Sequence, residues 1–361
     1  MSHNATHTSI RAQEFFARMQ ESFLRASAKT GETRDFFFCI AGRVLRLSFA
    51  GGALIEPLTR TFAHLALMPQ AHPDITVNVW EMNETGVNPP SPLWDTDAYL
   101  RRGEIQGYND GASCTVYHPD GRILFVYDVE RAVGYVAAFD QTILPMYERA
   151  ASLRPILFAA LAAFHVQYVH AAAVGLAEGG VLLAGKSHAG KSTTSLACLD
   201  SDLFFAGDDY CAVRVPSQPA DTPHVYSLYS TAKGDANTVA HLPFLERAIQ
   251  LWDVGGSEKA IWFLHEQMPQ KLIREFPLRA ILIPRITGAR ETRVSHASSQ
   301  AALLALAPST ISQLPNADAR VFQRIAAIAK SVPAFHLELG TDMKQIPNAI
   351  RAVLETARTK T

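Results

Sequence analysis

The run Gly185-Lys186-Ser187-His188-Ala189-Gly190-Lys191-Ser192 constrains the fold more than any other part of the chain, because it meets the pattern G-x-x-x-x-G-K-[ST] at every fixed position. Such a loop needs a strand before it and a helix after it. Val181-Leu182-Leu183 is a short apolar run of the kind a buried strand shows, and Thr193 to Asp200 reads as a helix. Gly185 and Gly190 permit backbone angles closed to other residues, so successive N–H groups can turn inward as a nest for phosphate oxygens. In such a nest Lys191 reaches the β and γ phosphates, Ser192 joins the shell of a magnesium ion, and Thr193 continues the cradle.

A phosphate loop by itself leaves ATPase, GTPase and kinase chemistry open, and the residues around it narrow the choice. Leu203-Phe204-Phe205-Ala206 is a second apolar run, and it ends at Gly207-Asp208-Asp209. A carboxylate at the carboxyl end of a strand is placed to hold a divalent ion or to take the proton of an attacking hydroxyl, although an acidic pair after glycine also suits a solvated turn. His170 stands in an apolar stretch, Tyr168 to Val174, read as one strand. A lone histidine there fits a satisfied core residue as well as a functional one.

The rest of the chain frames these motifs. A length of 361 residues implies two or three domains. Residues 8 to 29 carry Ile10, Phe15, Phe16, Met19, Phe23 and Leu24 at helical spacing, and short strands follow at Phe36–Ile40, Arg43–Phe49, Ile75–Trp80, Cys114–Tyr117, Ile123–Tyr127 and Val133–Ala138. His118-Pro119-Asp120-Gly121 reads as a hairpin turn, with His118 a turn residue. Residues 1–143 are therefore expected to form a small, mostly antiparallel α+β domain. Residues 144–361 follow as an α/β domain, opening with a long helix from Leu144 to Phe164 that packs on it. Its later elements are strands at Tyr210–Val215, Ala260–Leu264, Arg279–Ile283 and Ala334–Leu339, helices near 298–306, 317–329 and 343–359, and a polar loop at 216–223.

A formal net charge of −1 gives no general pull toward nucleic acid or anionic membrane. The apolar stretch Pro155 to Val166 is shorter than the roughly 20 residues of a membrane span. Cys39, Cys114, Cys198 and Cys211 lack any metal-binding or disulfide spacing, so the expected setting is cytoplasmic and reducing.

The order of Val169-His170-Ala171, the phosphate loop fifteen residues after the histidine, and Ala206-Gly207-Asp208-Asp209 with its first aspartate twenty-three residues after Gly185 resembles the core of HPr kinase/phosphorylase. The resemblance is closer to the HPr-kinase-like serine kinases of ribosomal peptide maturation, including lasso-peptide kinases. It runs over about residues 145 to 355, through His170–Val174, Ser227–Lys233, Lys259–Glu266, Leu278–Arg285 and Ala302–Thr310. It implies a P-loop kinase domain of the HPr-kinase-like, PEP-carboxykinase type that uses ATP and Mg2+ to phosphorylate a serine hydroxyl on a peptide or small protein. It further implies that Asp208 acts as general base, that His170 and Asp209 support it or the metal, and that Lys191 and Ser192 hold the donor. Lys233, Lys259 and Arg285 are expected charge partners. Homo-oligomerisation stays open, as do a small-molecule kinase and a non-catalytic nucleotide-binding module.

Two departures from the family pattern stand out. His188-Ala189 occupies positions where the family usually carries a glycine-containing pair, so a stiffer nest with His188 near the phosphates is expected. The family's signature region, tied to its reverse reaction and hexamer contacts, is not found in residues 234 to 258.

Overall fold

The amino-terminal helix, Ser2–Thr30, turns one aromatic face inward. Phe15, Phe16, Met19 and Phe23 are buried, while Ile10 and Leu24, expected on that face, are exposed. The structure is a computed structural model describing residues 2–218, 221–253, 258–315 and 317–358, with side chains from residue 10 to 357. Parts of the expected loop at 216–223 and of the segment 234–258, together with Thr359, lie outside the described residues.

The chain divides into two units, Met1–Phe164 with Leu314–Asn316, and His165–Gln313 with Ala317–Thr361. In the first, strands Arg34–Ile40 (β1), Arg43–Ala50 (β2), Ala66–Leu67 (β3), Ile75–Glu81 (β4), Ser113–His118 (β5), Ile123–Asp128 (β6) and Val133–Ala138 (β7) form a sheet of order β3-β1-β2-β4-β7-β6-β5. Most neighbours are antiparallel, but β4 runs parallel to both β2 and β7. Every residue of β4 is buried, as befits a strand flanked in parallel on both sides. Phe16 meets Tyr135 of β7 edge-on at 5.2 Å, and Phe15 meets Trp94 at 4.7 Å.

The long helix expected over 144–164 is broken into Met146–Ala150 and Arg154–Ala163, and both pieces belong to the first unit. Pro155 explains the break, since a proline lacks the N–H and clashes with the turn before it, so it opens a helix more readily than it continues one. Leu153 precedes it in the left-handed region, φ 61°.

In the second unit, Val166–Val169 (β8), Ala172–Leu176 (β9), Gly179–Leu183 (β10), Phe204–Gly207 (β11), Cys211–Arg214 (β12) and His224–Ser227 (β13) join Glu275–Ile286 (β17) in the order β11-β9-β10-β17-β13-β12-β8. Arg293–Ala297 (β18) and Ala334–Leu339 (β19) extend it from β17, while Thr231–Gly234 (β14), Leu251–Trp252 (β15) and Ala260–Phe263 (β16) form a separate small sheet. The main sheet is mixed: β17 runs parallel to β10 and β19 and antiparallel to β13. Val181, Leu183, Leu282 and Leu337 pack on Leu196 of helix Lys191–Ala197 and on Ile346, Ile350 and Leu354 of helix Gln345–Arg358. That core fixes the phosphate loop against the ends of β17 and β19.

Candidate active site

Where one strand was expected over Tyr168 to Val174, the chain leaves β8 at Val169 and re-enters the sheet as β9 at Ala172. The His170 N–H turns away from the ladder and donates to Thr310 Oγ1 at 3.0 Å. A matching break separates β11 from β12 at Asp208-Asp209-Tyr210. The pairings Gly207↔Ala173 on one side and Cys211↔Val169 on the other flank both breaks. Antiparallel register thus lays residues 170–172 beside 208–210. This is how a histidine and an acidic pair nearly forty residues apart in sequence reach one place.

The loop of residues 184–190 joins β10 to helix Lys191–Ala197. Gly190 has φ +96°, and a Cβ on it would stand 2.5 Å from Leu339 Cδ1, so conformation and space both demand glycine. Gly185 is not left-handed; its constraint is space, an added Cβ falling 3.1 Å from the Cβ of Ala189. His188 takes φ 62°, a conformation that disfavours a side chain by about 1–2 kcal/mol. The residue standing where glycine was expected has kept glycine's backbone shape.

Lys191 is buried, and its Nζ donates to the carbonyls of Gly185 at 2.9 Å and Lys186 at 3.2 Å. Burial lowers its pKa, with the negative field of Asp208 and Asp209 opposing the shift. Ser192 Oγ donates to Asp208 Oδ1 at 2.9 Å, and the Lys233 N–H donates to Asp208 Oδ2 at 3.1 Å. Asp209 pairs with Lys233 Nζ at 3.2 Å and lies 3.7 Å from His170 Nε2. Asp209 itself sits at φ 65°, strained backbone held where the two chain breaks meet. Burial and the charge of Asp209 push Asp208 up to about 6, against the hydrogen bonds from Lys233 and Ser192. Asp209 moves the other way: burial would raise it, but Lys233 and His170 prevail and hold it far below the usual carboxylate range.

A cavity of about 90 Å3 opens over these groups, and Ser187, His188, Lys191, Ser192, Asp209 and Lys259 are among the residues that line it. Asp208, expected as general base, is not among the residues lining that cavity, whereas Asp209 is. Asp208 lies behind, bonded to Ser192, and Asp209 looks into the cavity. Arg285 is not brought here; its side chain is 74% exposed and 3.8 Å from Glu338. His118, expected in a turn, ends β5 and meets the fully buried Glu148 at 2.6 Å in the other unit. Thr310 and the backbone of Lys233 were not marked as site groups by sequence reasoning, because their roles arise from distant chain contacts without a local motif.

Ser192 and the acidic pair fit a magnesium ion. Asp208 is buried with hydrogen bonds from Ser192 and the Lys233 N–H and with no ion pair among the described residues, and magnesium favours a few protein oxygens combined with substrate phosphates over a complete protein cage. Among the described residues no group of three or more His, Cys, Asp or Glu side chains that could hold a metal ion is found. Among the described residues, no helix is long and apolar enough to cross a membrane.

No family model and no curated protein sequence matches the chain. Among solved structures it is similar to the HPr(Ser) kinase/phosphatase from Coxiella burnetii, with 12% identity over 54% of this chain and 97% of that one, at a TM-score of 0.27. A likeness of that size does not establish a common fold, and the chemistry of the site stands on its own side chains.

Proposed function

We propose that the chain is an ATP- and magnesium-dependent kinase that transfers the terminal phosphoryl group to a serine hydroxyl of a peptide or small protein. The acceptor class, a ribosomally made peptide precursor, comes from the sequence resemblance. The observation that carries the reading is the Ser192–Asp208 hydrogen bond, which ties the phosphate loop to an acidic pair whose other member lines the same cavity as Lys191.

In-line transfer needs a fixed donor, charge neutralisation and a group to take the acceptor proton. Lys191 would exchange its loop carbonyls for phosphate oxygens. Ser192 and Asp208 would hold the magnesium ion, which neutralises phosphate charge when bound. Asp209, oriented by Lys233 and His170, accepts the serine proton as the serine oxygen bonds to the γ-phosphorus. The bond from that phosphorus to the bridging oxygen breaks, and ADP leaves. Lys233 and Lys259 balance the charge of the phosphorylated product in the cavity.

The test is incubation with ATP, magnesium and the peptide encoded beside the gene, read as a phosphate mass increment on serine. The increment should vanish with Asp209→Asn. Consumption of ATP that proceeds without any labelled peptide, and that Asp209→Asn leaves unchanged, would overturn the reading.

A further inference from the structure

His170 stands beside the acidic pair without the anchor such a ring ordinarily has. Its Nε2 lies 3.7 Å from Asp209 Oδ1, while its Nδ1 is buried and has no hydrogen-bond partner among the described residues. A histidine that works next to a reacting group is usually aimed by a hydrogen bond at its other ring nitrogen. Here the aim has to come from the backbone and from ring packing. Both are present. The His170 N–H donates to Thr310 Oγ1 at 3.0 Å, across 140 residues of sequence. The imidazole lies 5.5 Å from the ring of Tyr210, which in turn meets the buried rings of Tyr168 at 5.3 Å and Tyr229 at 6.5 Å.

Thr310 is fully buried in helix Ser299–Gln313, so water does not readily stand in for its hydroxyl. Without that acceptor the His170 N–H either stays unpaired, which is costly away from water, or closes the break between β8 and β9 and draws residue 170 into the ladder. Side chains alternate from face to face along a strand, so closing the break re-aims the ring. In either case the imidazole loses its hold beside Asp209. We propose that Thr310 is a positioning residue for phosphoryl transfer: its hydroxyl keeps the chain open at residue 170 and so holds the imidazole against the carboxylate that accepts the serine proton. This role rests on the kinase reading and adds to it a residue from a helix that carries neither the phosphate loop nor the acidic pair.

Thr310→Val keeps the shape of the side chain and Thr310→Ala shortens it; both remove the acceptor, whereas Thr310→Ser retains it. With ATP, magnesium and the peptide encoded beside the gene, the first two should lower kcat for serine phosphorylation about 10- to 100-fold, with KM for ATP and the calorimetric affinity for ADP within about twofold. Thr310→Ser should stay within about threefold of the unaltered protein. Retained ADP affinity also shows that the variants are folded. A group that acts through His170 has nothing to act on once the ring is gone, so Thr310→Val added to His170→Ala should lower kcat no further. Full kcat in Thr310→Val, or an equal further loss when it is added to His170→Ala, would overturn the positioning role and leave the kinase reading standing. Absence of transfer by the unaltered protein would overturn the kinase reading, and the role of Thr310 with it.

Discussion

Asp208 and Asp209 are neighbours in sequence and opposites in surroundings. One is bonded to the loop hydroxyl of Ser192, and the other is paired with Lys233 and faces the cavity. Asp209→Asn should therefore lower turnover by about 10²–10⁴ while leaving ADP affinity unchanged, checked by steady-state kinetics beside calorimetry. Gly190→Ala meets both a left-handed backbone and Leu339, and should lower stability by about 1–3 kcal/mol in denaturant titration and weaken nucleotide binding. At this scale the sequence was informative where chemistry is local. The loop pattern named its own residues, and the place of His170 before it and of the acidic pair after it pointed to one site. What each aspartate touches was not legible, because the Lys233 N–H and the cavity wall come from chain at least fifteen residues away. His188 shows the same limit, its glycine-like backbone being imposed by the loop around it rather than by its own preference.

Elements were legible where periodicity was strong and boundaries were marked. β7 and β19 fall on the residues expected, and the segment 184–190 lies between a strand and a helix as its sequence required. The single strand expected across His170 failed because an apolar run carries no sign of where its hydrogen bonds go, and here one goes to Thr310. The helix expected over 144–164 failed for a readable reason, Pro155. Behind that break, Glu148 is fully buried between His118 at 2.6 Å and Arg154 at 3.4 Å. Burial would raise its pKa, yet these two partners outweigh burial and lower it. A depressed carboxylate adds stability that is complete above its unfolded value of about 4.3 and is lost as pH falls through the lower folded value. Glu148→Ala removes the buried carboxylate that His118 and Arg154 share and should cost about 3–5 kcal/mol. Denaturant midpoints measured from pH 7 to pH 3 should fall steeply at the acid end for the natural chain and less so for the variant.

Across the whole molecule the site groups described here belong to one unit, His165–Gln313 with Ala317–Thr361. Hydrogen exchange should consequently slow on addition of ADP and magnesium in residues 184–194, 207–210 and 231–238, with the strands of residues 34–138 unchanged. Binding at about 100 times Kd should add about 2.7 kcal/mol to the stability of that unit. Two domains were expected with a boundary at 143/144, and the two units divide instead at 164/165. The proposed reaction divides the labour of one acidic pair between ion and acceptor, and that division is measured by transfer of labelled γ-phosphate from ATP to a serine peptide across a magnesium titration. Asp208→Asn should raise the magnesium needed for half-maximal transfer and recover activity at high magnesium, whereas Asp209→Asn should stay inactive at every concentration. Recovery of Asp209→Asn by magnesium, with Asp208→Asn inactive throughout, would contradict it.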